Sequence, residues 1–163
     1  MKKITRLAVG AGLAMSAALL THVPAQAATS YEGDACSVSN ENCFALFYNS
    51  GVNTWTSSCF LSNKSISDLY GYSPNGATLV RYVFIAPGTH INTNLAVSWC
   101  IGNGEGQEVK NNAAAAASGE ASATNTVYYN SGYAGASQSF GPRSTGNLNS
   151  TLKNENASIK RSS

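Results

Sequence analysis

Four cysteines could cross-link this chain or hold a metal ion: Cys36, Cys43, Cys59 and Cys100. An even number of cysteines in an exported chain is typical of disulfides. Four thiolates could instead bind zinc, but the C-x2-4-C spacing of zinc sites is absent, which disfavours a metal centre. Among three pairings we favour Cys36 with Cys43 and Cys59 with Cys100, because the first pair closes a compact polar turn that leads directly into a strand.

Residues for acid–base catalysis are scarce. Beyond residue 27 the chain holds one histidine, His90, and two aspartates, Asp34 and Asp68, and no nucleophile motif accompanies them. His90 follows Pro87 and Gly88 in a segment that predicts an exposed turn, where a histidine is usually solvated rather than a general base. No local pattern pairs carboxylates for glycoside hydrolysis. We therefore expect that the protein is not an enzyme.

The N-terminus has the order of a secretory signal peptide. Three basic residues, Lys2, Lys3 and Arg6, come first. An uncharged stretch over residues 7–20, short for a membrane span, and small residues up to Ala27 follow. We expect cleavage after Ala27 and a secreted, extracellular protein. Glycines and a serine within the stretch disfavour the alternative, a membrane anchor.

Charge argues against two classes of partner. The whole chain has ten basic and eight acidic residues, but three of the basic ones lie in the leader, so the remainder is slightly acidic. No cluster of Lys and Arg is left beyond residue 27. Nucleic acids and anionic membranes are bound through such clusters. We therefore expect no nucleic acid and, after cleavage, no membrane as a partner.

Two short phrases occur twice in the same order. Residues 47–51 return as residues 128–132, and residues 109–113 return within residues 152–157. An aromatic strand and turn followed by an Asn-rich turn, used twice, predicts one supersecondary unit duplicated around a shared core. The phrases stand further apart in the first copy, which predicts a large insertion there. We expect the insertion to carry the protein-specific function.

The elements that must position these residues are strands. Pro74-Asn75-Gly76 predicts a hairpin turn, the alanines at 113–117 predict one or two helical turns, and Trp55 and Phe60 are candidate core residues. A loose N-terminus is predicted over 28–35. Strands are predicted at 43–48 (covered on both faces), 54–61, 78–85, 95–101, 126–129, 137–140 and 157–160. The predicted organisation is a signal peptide at 1–27 and a single β domain at 28–163, with unit one at about 36–118, a connector at 119–125 and unit two at 126–160.

Three segments resemble known families. The pattern Tyr128-x4-Tyr133-x-Gly135, followed by residues 154–159, resembles a βγ-crystallin Greek-key motif. The turn at 36–43 that runs into an aromatic strand is similar to the start of the secreted actinobacterial peptidase inhibitor family I36. The first copy departs from the motif, with Val52 and Thr54 in place of the corner aromatic and glycine. The resemblance implies an all-β, crystallin-like Greek-key sandwich of two repeated units, the first with a large insertion.

The same resemblance implies a non-enzymatic, monomeric inhibitor of an extracellular protease. Such a protein presents an exposed loop stiffened by the fold and by disulfides, which reduces the ordering entropy lost on docking. Arg81, Arg143, Tyr70 and Tyr72 could each fill a specificity pocket, but nothing in the sequence marks the contact residue. The alternative is a structural or wall-associated extracellular protein, whose Tyr and Asn side chains would suit sugar or peptidoglycan contacts.

The resemblance also implies a candidate calcium site, because the crystallin-type turn can offer oxygen ligands to a hard cation. The matching positions are Asn111, Asn112, Asn154, Glu155 and Ser158. Only Glu155 among them is charged, and Asn in turns usually serves backbone conformation. We therefore expect no cofactor, with weak calcium binding as the alternative.

Overall fold

The structure, a computed structural model, describes residues 28–51, 56–94 and 97–163. This part of the chain is all-β, as predicted, and its one helical element is a single 3-10 turn at Asn40–Asn42. Among these residues no helix is long and apolar enough to span a membrane. The strands, in chain order, are β1 Ala28–Glu32, β2 Asp34–Ala35, β3 Phe44–Phe47, β4 Thr56–Ser57, β5 Cys59–Ser62, β6 Gly71–Tyr72, β7 Thr78–Tyr82, β8 His90–Asn92, β9 Val97–Cys100, β10 Ala115–Ser118, β11 Thr124–Asn130, β12 Ala134–Phe140, β13 Thr145–Asn147 and β14 Ser158–Ser162.

Some predictions fall outside the described residues. These are the signal peptide at residues 1–27, the core position of Trp55, and the first-copy corner at Val52 and Thr54. They stay predictions.

The central layer is a five-stranded sheet in the order β13-β10-β3-β5-β2. Every residue of β3, β5 and β10 is buried, because other elements cover both faces of this sheet. A strand buried on both faces carries a continuous apolar run rather than an alternating one. The run at 43–48 was predicted to be such a strand, and the structure confirms it.

Two hydrophobic cores lie on the two faces of the central sheet. The inner core packs Phe44, Leu46 and Phe60 against Val127 and other residues of the β12-β11-β14 sheet. The outer core packs the alternate residues of the central strands against Ile91 and Cys100 of the β4-β9-β8 sheet. Its members are Cys43, Ala45, Phe47, Cys59, Leu61, Ile91, Cys100, Ala115 and Ala117.

The alanine run at 113–117 is not helical, so that prediction was wrong. Its last three residues begin β10, which pairs with β3 on one side and β13 on the other. Five alanines are too few to nucleate a helix alone, whereas a central strand gains ladder hydrogen bonds on both sides. The side chains alternate between faces, with Ala116 in the inner core and Ala115 and Ala117 in the outer core.

Two further strand predictions need correction. Residues 28–35 were expected to be loose, but β1 pairs in parallel with β7, and β2 pairs in parallel with β5. The single strand predicted over 54–61 is two strands in different sheets. The chain changes sheet at Ser58, whose N–H donates to the carbonyl of Asn103 at 3.0 Å. Long-range partners for these backbones cannot be read from local sequence.

The first repeated phrase has the same backbone partners in both copies. The carbonyl of Phe47 accepts the N–H of Ala114 at 2.8 Å, and the carbonyl of Tyr128 accepts the N–H of Ala157 at 2.8 Å. Under the repeat, Phe47 corresponds to Tyr128 and Ala114 to Ala157. The two aromatic strands therefore meet equivalent neighbours.

The Asn-rich turns bond to each other reciprocally. The N–H of Asn111 donates to the carbonyl of Asn156 at 2.8 Å, and the N–H of Asn154 donates to the carbonyl of Ala113 at 2.9 Å. Asn111 and Asn154 are equivalent under the repeat, and both have positive φ, 61° and 60°. Asparagine tolerates this left-handed conformation better than other side chains. The two turns thus form one symmetric junction.

Strands from the N-terminal and C-terminal parts of the chain also pair with each other. β13 pairs with β10 and so completes the central sheet, while Ile66 forms an antiparallel bridge with Ile159 of β14. Between Ile66 and Asn111 lie β6, β7, β8 and β9.

The predicted hairpin turn joins β6 to β7, where the Asn75 side-chain oxygen accepts the N–H of Thr78 at 2.8 Å.

Candidate functional site

The two disulfides are the pairings that the sequence favoured. Cys59–Cys100 joins β5 in the central sheet to β9, with a sequence separation of 41 residues. Cys36–Cys43 closes a ring with a separation of 7 residues around the 3-10 turn. Both bridges belong to the outer core. The outer core is therefore covalently fixed at the side where β8 and β9 cover it.

Strand β9 and the residue that follows it, Ile101, present an apolar row to solvent. Val97, Trp99 and Ile101 are 46%, 43% and 36% exposed, whereas Ser98 and Cys100 between them are buried. This is the two-residue alternation of a strand with one covered face. We call Val97, Trp99 and Ile101 the β9 row. Cys100, between Trp99 and Ile101, ties this segment to the central sheet through the disulfide.

Strand β8 supports the β9 row from one side. His90 lies opposite Trp99 in the β8–β9 register, and the two ring centroids are 5.2 Å apart. The Nε2 atom of His90 lies 2.9 Å from Oε1 of Glu41, and Asn92 donates to Oε2 of the same carboxylate at 3.0 Å. Glu41 belongs to the turn that Cys36–Cys43 closes. The turn closed by the Cys36–Cys43 disulfide is thus connected to the β9 row through Glu41 and strand β8.

His90 was predicted to lie in an exposed turn, and this was wrong. It is the first residue of β8, and its side chain is only 33% exposed. Asp34 accepts the N–H of Cys36 at 3.0 Å, and Asp68 is paired with Lys110. These three residues, the candidates for acid–base chemistry, therefore stand in separate hydrogen-bond networks.

The arginines considered as contact residues are held by other groups. Arg143 donates from Nη1 to the carbonyl of Asn92 at 3.3 Å and from Nη2 to the side-chain oxygen of Asn42 at 3.2 Å. The guanidinium carbon of Arg81 lies 3.5 Å from the ring centroid of Tyr70, and its Nη2 pairs with Glu108. Neither arginine projects freely, so neither is suited to entering a specificity pocket.

The tyrosines considered as contact residues lie near β7, away from the β9 row. Tyr70 is 42% exposed but stacks on Arg81. Tyr72 is equally exposed, and its ring centroid lies 5.7 Å from that of Tyr82. The charge of Glu32 raises the pKa of Tyr72 above its usual value. Both rings therefore pack partly against neighbouring side chains.

The structure brings only part of the predicted calcium set together. Asn111 and Glu155 line one cavity. Asn112 instead donates its amide to the carbonyl of Glu108 at 3.0 Å. The Ser158 hydroxyl donates to the carbonyl of Asn130 at 2.7 Å, and Asn154 serves the turn junction through its backbone.

Lys110 already supplies a cation beside Asn111 and Glu155. Its Nζ lies 2.9 Å from Oδ1 of Asp68 and donates to Oγ of Ser131 at 3.0 Å. Lys110 thus engages the Asp68 carboxylate, which leaves Glu155 as the one acidic side chain that lines the cavity. Among the described residues, no three His, Cys, Asp or Glu side chains are grouped so that they could hold a metal.

The Asp68–Lys110 pair predicts an acid-dependent contribution to stability. Burial raises the pKa of Asp68, but hydrogen bonds from the Tyr70 N–H and from Lys110 outweigh it and hold the pKa below 3.8. A lowered folded-state pKa gives stability that is present above the unfolded pKa and lost as the pH falls through the folded one. We expect Asp68→Asn to lower the melting temperature at neutral pH, and the gap to the parent protein to close below about pH 4. Melting curves across this range test it, and a gap that stays constant with pH would contradict the assignment.

Sequence reasoning missed the β9 row. The alternation Val-Ser-Trp-Cys-Ile was visible at 97–101, but it predicted only a strand. Which face of that strand is covered depends on Ile91 and the outer core, and these contacts are not encoded in the local pattern.

Comparison with protein-family models, with curated proteins and with solved structures found no significant match to this chain.

Proposed function

We propose that this chain is a secreted, non-enzymatic inhibitor of an extracellular peptidase, of the I36 type, and that the β9 row is its contact surface. The observation that carries the proposal is the row itself: three neighbouring large apolar side chains, Val97, Trp99 and Ile101, stand exposed on a strand that a disulfide fixes to the core. Two disulfides also favour an extracellular compartment, since such bridges persist where the environment is oxidising.

The physical requirements of an inhibitor fit this surface. Docking costs the conformational entropy of ordering the contact segment. A strand that is held by the Cys100 disulfide and by the β8–β9 ladder loses little further conformational entropy on binding. Exposed tryptophan is enriched among the residues that dominate binding energy. Trp99 stands in the middle of the row, with Val97 and Ile101 as its flanking contacts.

A crystallin-like Greek-key sandwich of two repeated units is the fold that we propose to carry this surface. It is supported by the reciprocal bonds between the Asn-rich turns and by the strand pairing through β13 and Ile66. The second-copy corner adds support, because the Tyr128 and Tyr133 rings are 6.1 Å apart and Gly135 has a φ of 80°. In this arrangement β6 to β9 form the insertion of the first unit.

The test is inhibition of a panel of secreted serine and metallopeptidases by the protein without residues 1–27. We expect inhibition of at least one peptidase, and Trp99→Ala to raise the inhibition constant about 30-fold, the effect of losing a contact worth about 2 kcal/mol. Val97→Lys, which places a charge in the row without leaving a cavity, should weaken inhibition too.

Tyr31→Ala is the matched control, because Tyr31 is 70% exposed but lies on β1, away from the row. Circular dichroism of each variant separates loss of contact from loss of fold. If every peptidase stays fully active at micromolar protein, inhibition is rejected. If Trp99→Ala inhibits as well as the parent protein, the β9 row is rejected as the contact.

A further inference from the structure

A polar cavity lies beside the turn junction. Its volume is about 220 Å³, and its lining is Lys110, Asn111, Tyr129, Asn130, Ser131, Glu155 and Ala157. Ligand pockets for drug-sized molecules are about 300–1,000 Å³. This cavity is smaller, so its size suits a single ring. None of its lining residues belongs to the β9 row.

Several lining side chains have hydrogen-bonding capacity that the described part of the protein leaves unused. The Glu155 carboxylate, the Asn111 and Asn130 amides and the Tyr129 hydroxyl form no hydrogen bond or ion pair with any described residue. Together they offer both donors and acceptors. A ligand that carries many groups able to donate and accept at once would satisfy them.

The charges of the cavity disfavour an anionic ligand. Lys110 is its only cationic lining residue, and Asp68 lies 2.9 Å from the Lys110 ammonium and neutralises it. Glu155 adds a negative charge. A phosphate or carboxylate group would therefore meet a local charge that is net negative.

Apolar surface in the cavity is small. Among its lining residues, Ala157 is buried and Tyr129 is 40% exposed. An apolar side chain of a peptide would bury little against it. A tyrosine ring next to amides and a carboxylate instead suits a molecule with one C–H face and several hydroxyls.

We propose that this cavity binds a neutral pyranose ring of an extracellular glycan. The ring places its C–H face on Tyr129, and its hydroxyls exchange hydrogen bonds with Glu155, Asn111 and Asn130. This function is separate from inhibition and does not depend on it.

The backbone that carries these groups is held in place before any ligand arrives. The N–H of Asn111 is bonded to the carbonyl of Asn156 at 2.8 Å, and the carbonyl of Asn130 accepts the Ser158 hydroxyl at 2.7 Å. Lys110 fixes Ser131 from the other side at 3.0 Å. A preorganised lining loses little entropy when a small ligand binds.

Nuclear magnetic resonance titration of the isotope-labelled protein tests the proposal. The probes are cellotetraose and the tetramer of N-acetylglucosamine, each added to about 10 mM, above the roughly millimolar Kd expected for a single-ring site. We expect at least one probe to shift the amide signals of residues 110–111, 129–131 and 155. Binding should persist with a chelator, since no metal is required.

Two variants test the assignment of the contacts. Tyr129→Ala and Glu155→Gln should each weaken sugar binding at least about tenfold, while the matched controls Tyr31→Ala and Glu105→Gln leave it unchanged. Peptidase inhibition should be the same in all four. No shift with either sugar, shifts located elsewhere, loss of binding in chelator, or an equal response to a zwitterionic dipeptide would each overturn the proposal.

Discussion

Replacing Cys59 and Cys100 together by alanine is expected to lower the free energy of unfolding by about 4 kcal/mol, since the bridge closes a loop with a separation of 41 residues. The loss arises because the unfolded chain regains the loop entropy that the bridge removes. Alanine is preferred to serine, because both cysteines are fully buried and a hydroxyl there would lack a partner. Urea denaturation at equilibrium measures the change.

The Cys36/Cys43 double alanine variant is the matched comparison. Its ring has a separation of 7 residues, so the same estimate gives a smaller loss of about 2.5 kcal/mol. The longer ring should also matter more for function, because Cys100 anchors the β9 row directly. Equal losses in the two variants, or a larger loss for the short ring, would show that loop entropy does not control the stability of this fold.

Phe60→Ala is expected to cost about 3–5 kcal/mol, the range for truncating a buried phenylalanine. Phe60 is fully buried in β5, and its ring centroid lies 5.0 Å from that of Tyr82. The substitution leaves a cavity in the inner core, where the central sheet packs on β12-β11-β14. Chemical denaturation of the variant and the parent protein gives the difference.

Two controls make the Phe60 result specific. Phe60→Leu keeps most of the volume and should cost clearly less than the alanine variant. Tyr31→Ala removes an aromatic ring of similar size from a 70% exposed position and should change stability by less than about 0.5 kcal/mol. If Phe60→Ala lowers the free energy of unfolding no more than Tyr31→Ala does, packing of Phe60 in the inner core does not contribute the stability expected of it.

Local chemistry accounts for what the sequence determined by itself. The buried strand β3 was predicted because its residues are apolar without alternation. The hairpin at Asn75 was predicted because Asn-Gly suits a turn. The equivalence of Asn111 and Asn154 was predicted because the phrases around them repeat. The disulfide pairings followed from the short polar segment between Cys36 and Cys43.

Tertiary structure decided the rest, because the deciding contacts join distant parts of the chain. The alanines of β10 form a strand because β3 and β13 bond to both edges, which outweighs their helix propensity. The β9 row is exposed because the outer core covers the opposite face of β9. The polar cavity exists because folding brings Lys110 to Asp68 and Ser131, 21 residues beyond it in the chain. Sequence patterns report which residues can form a strand or a turn, but the neighbours that cover, pair or neutralise them are set only when the whole chain has packed.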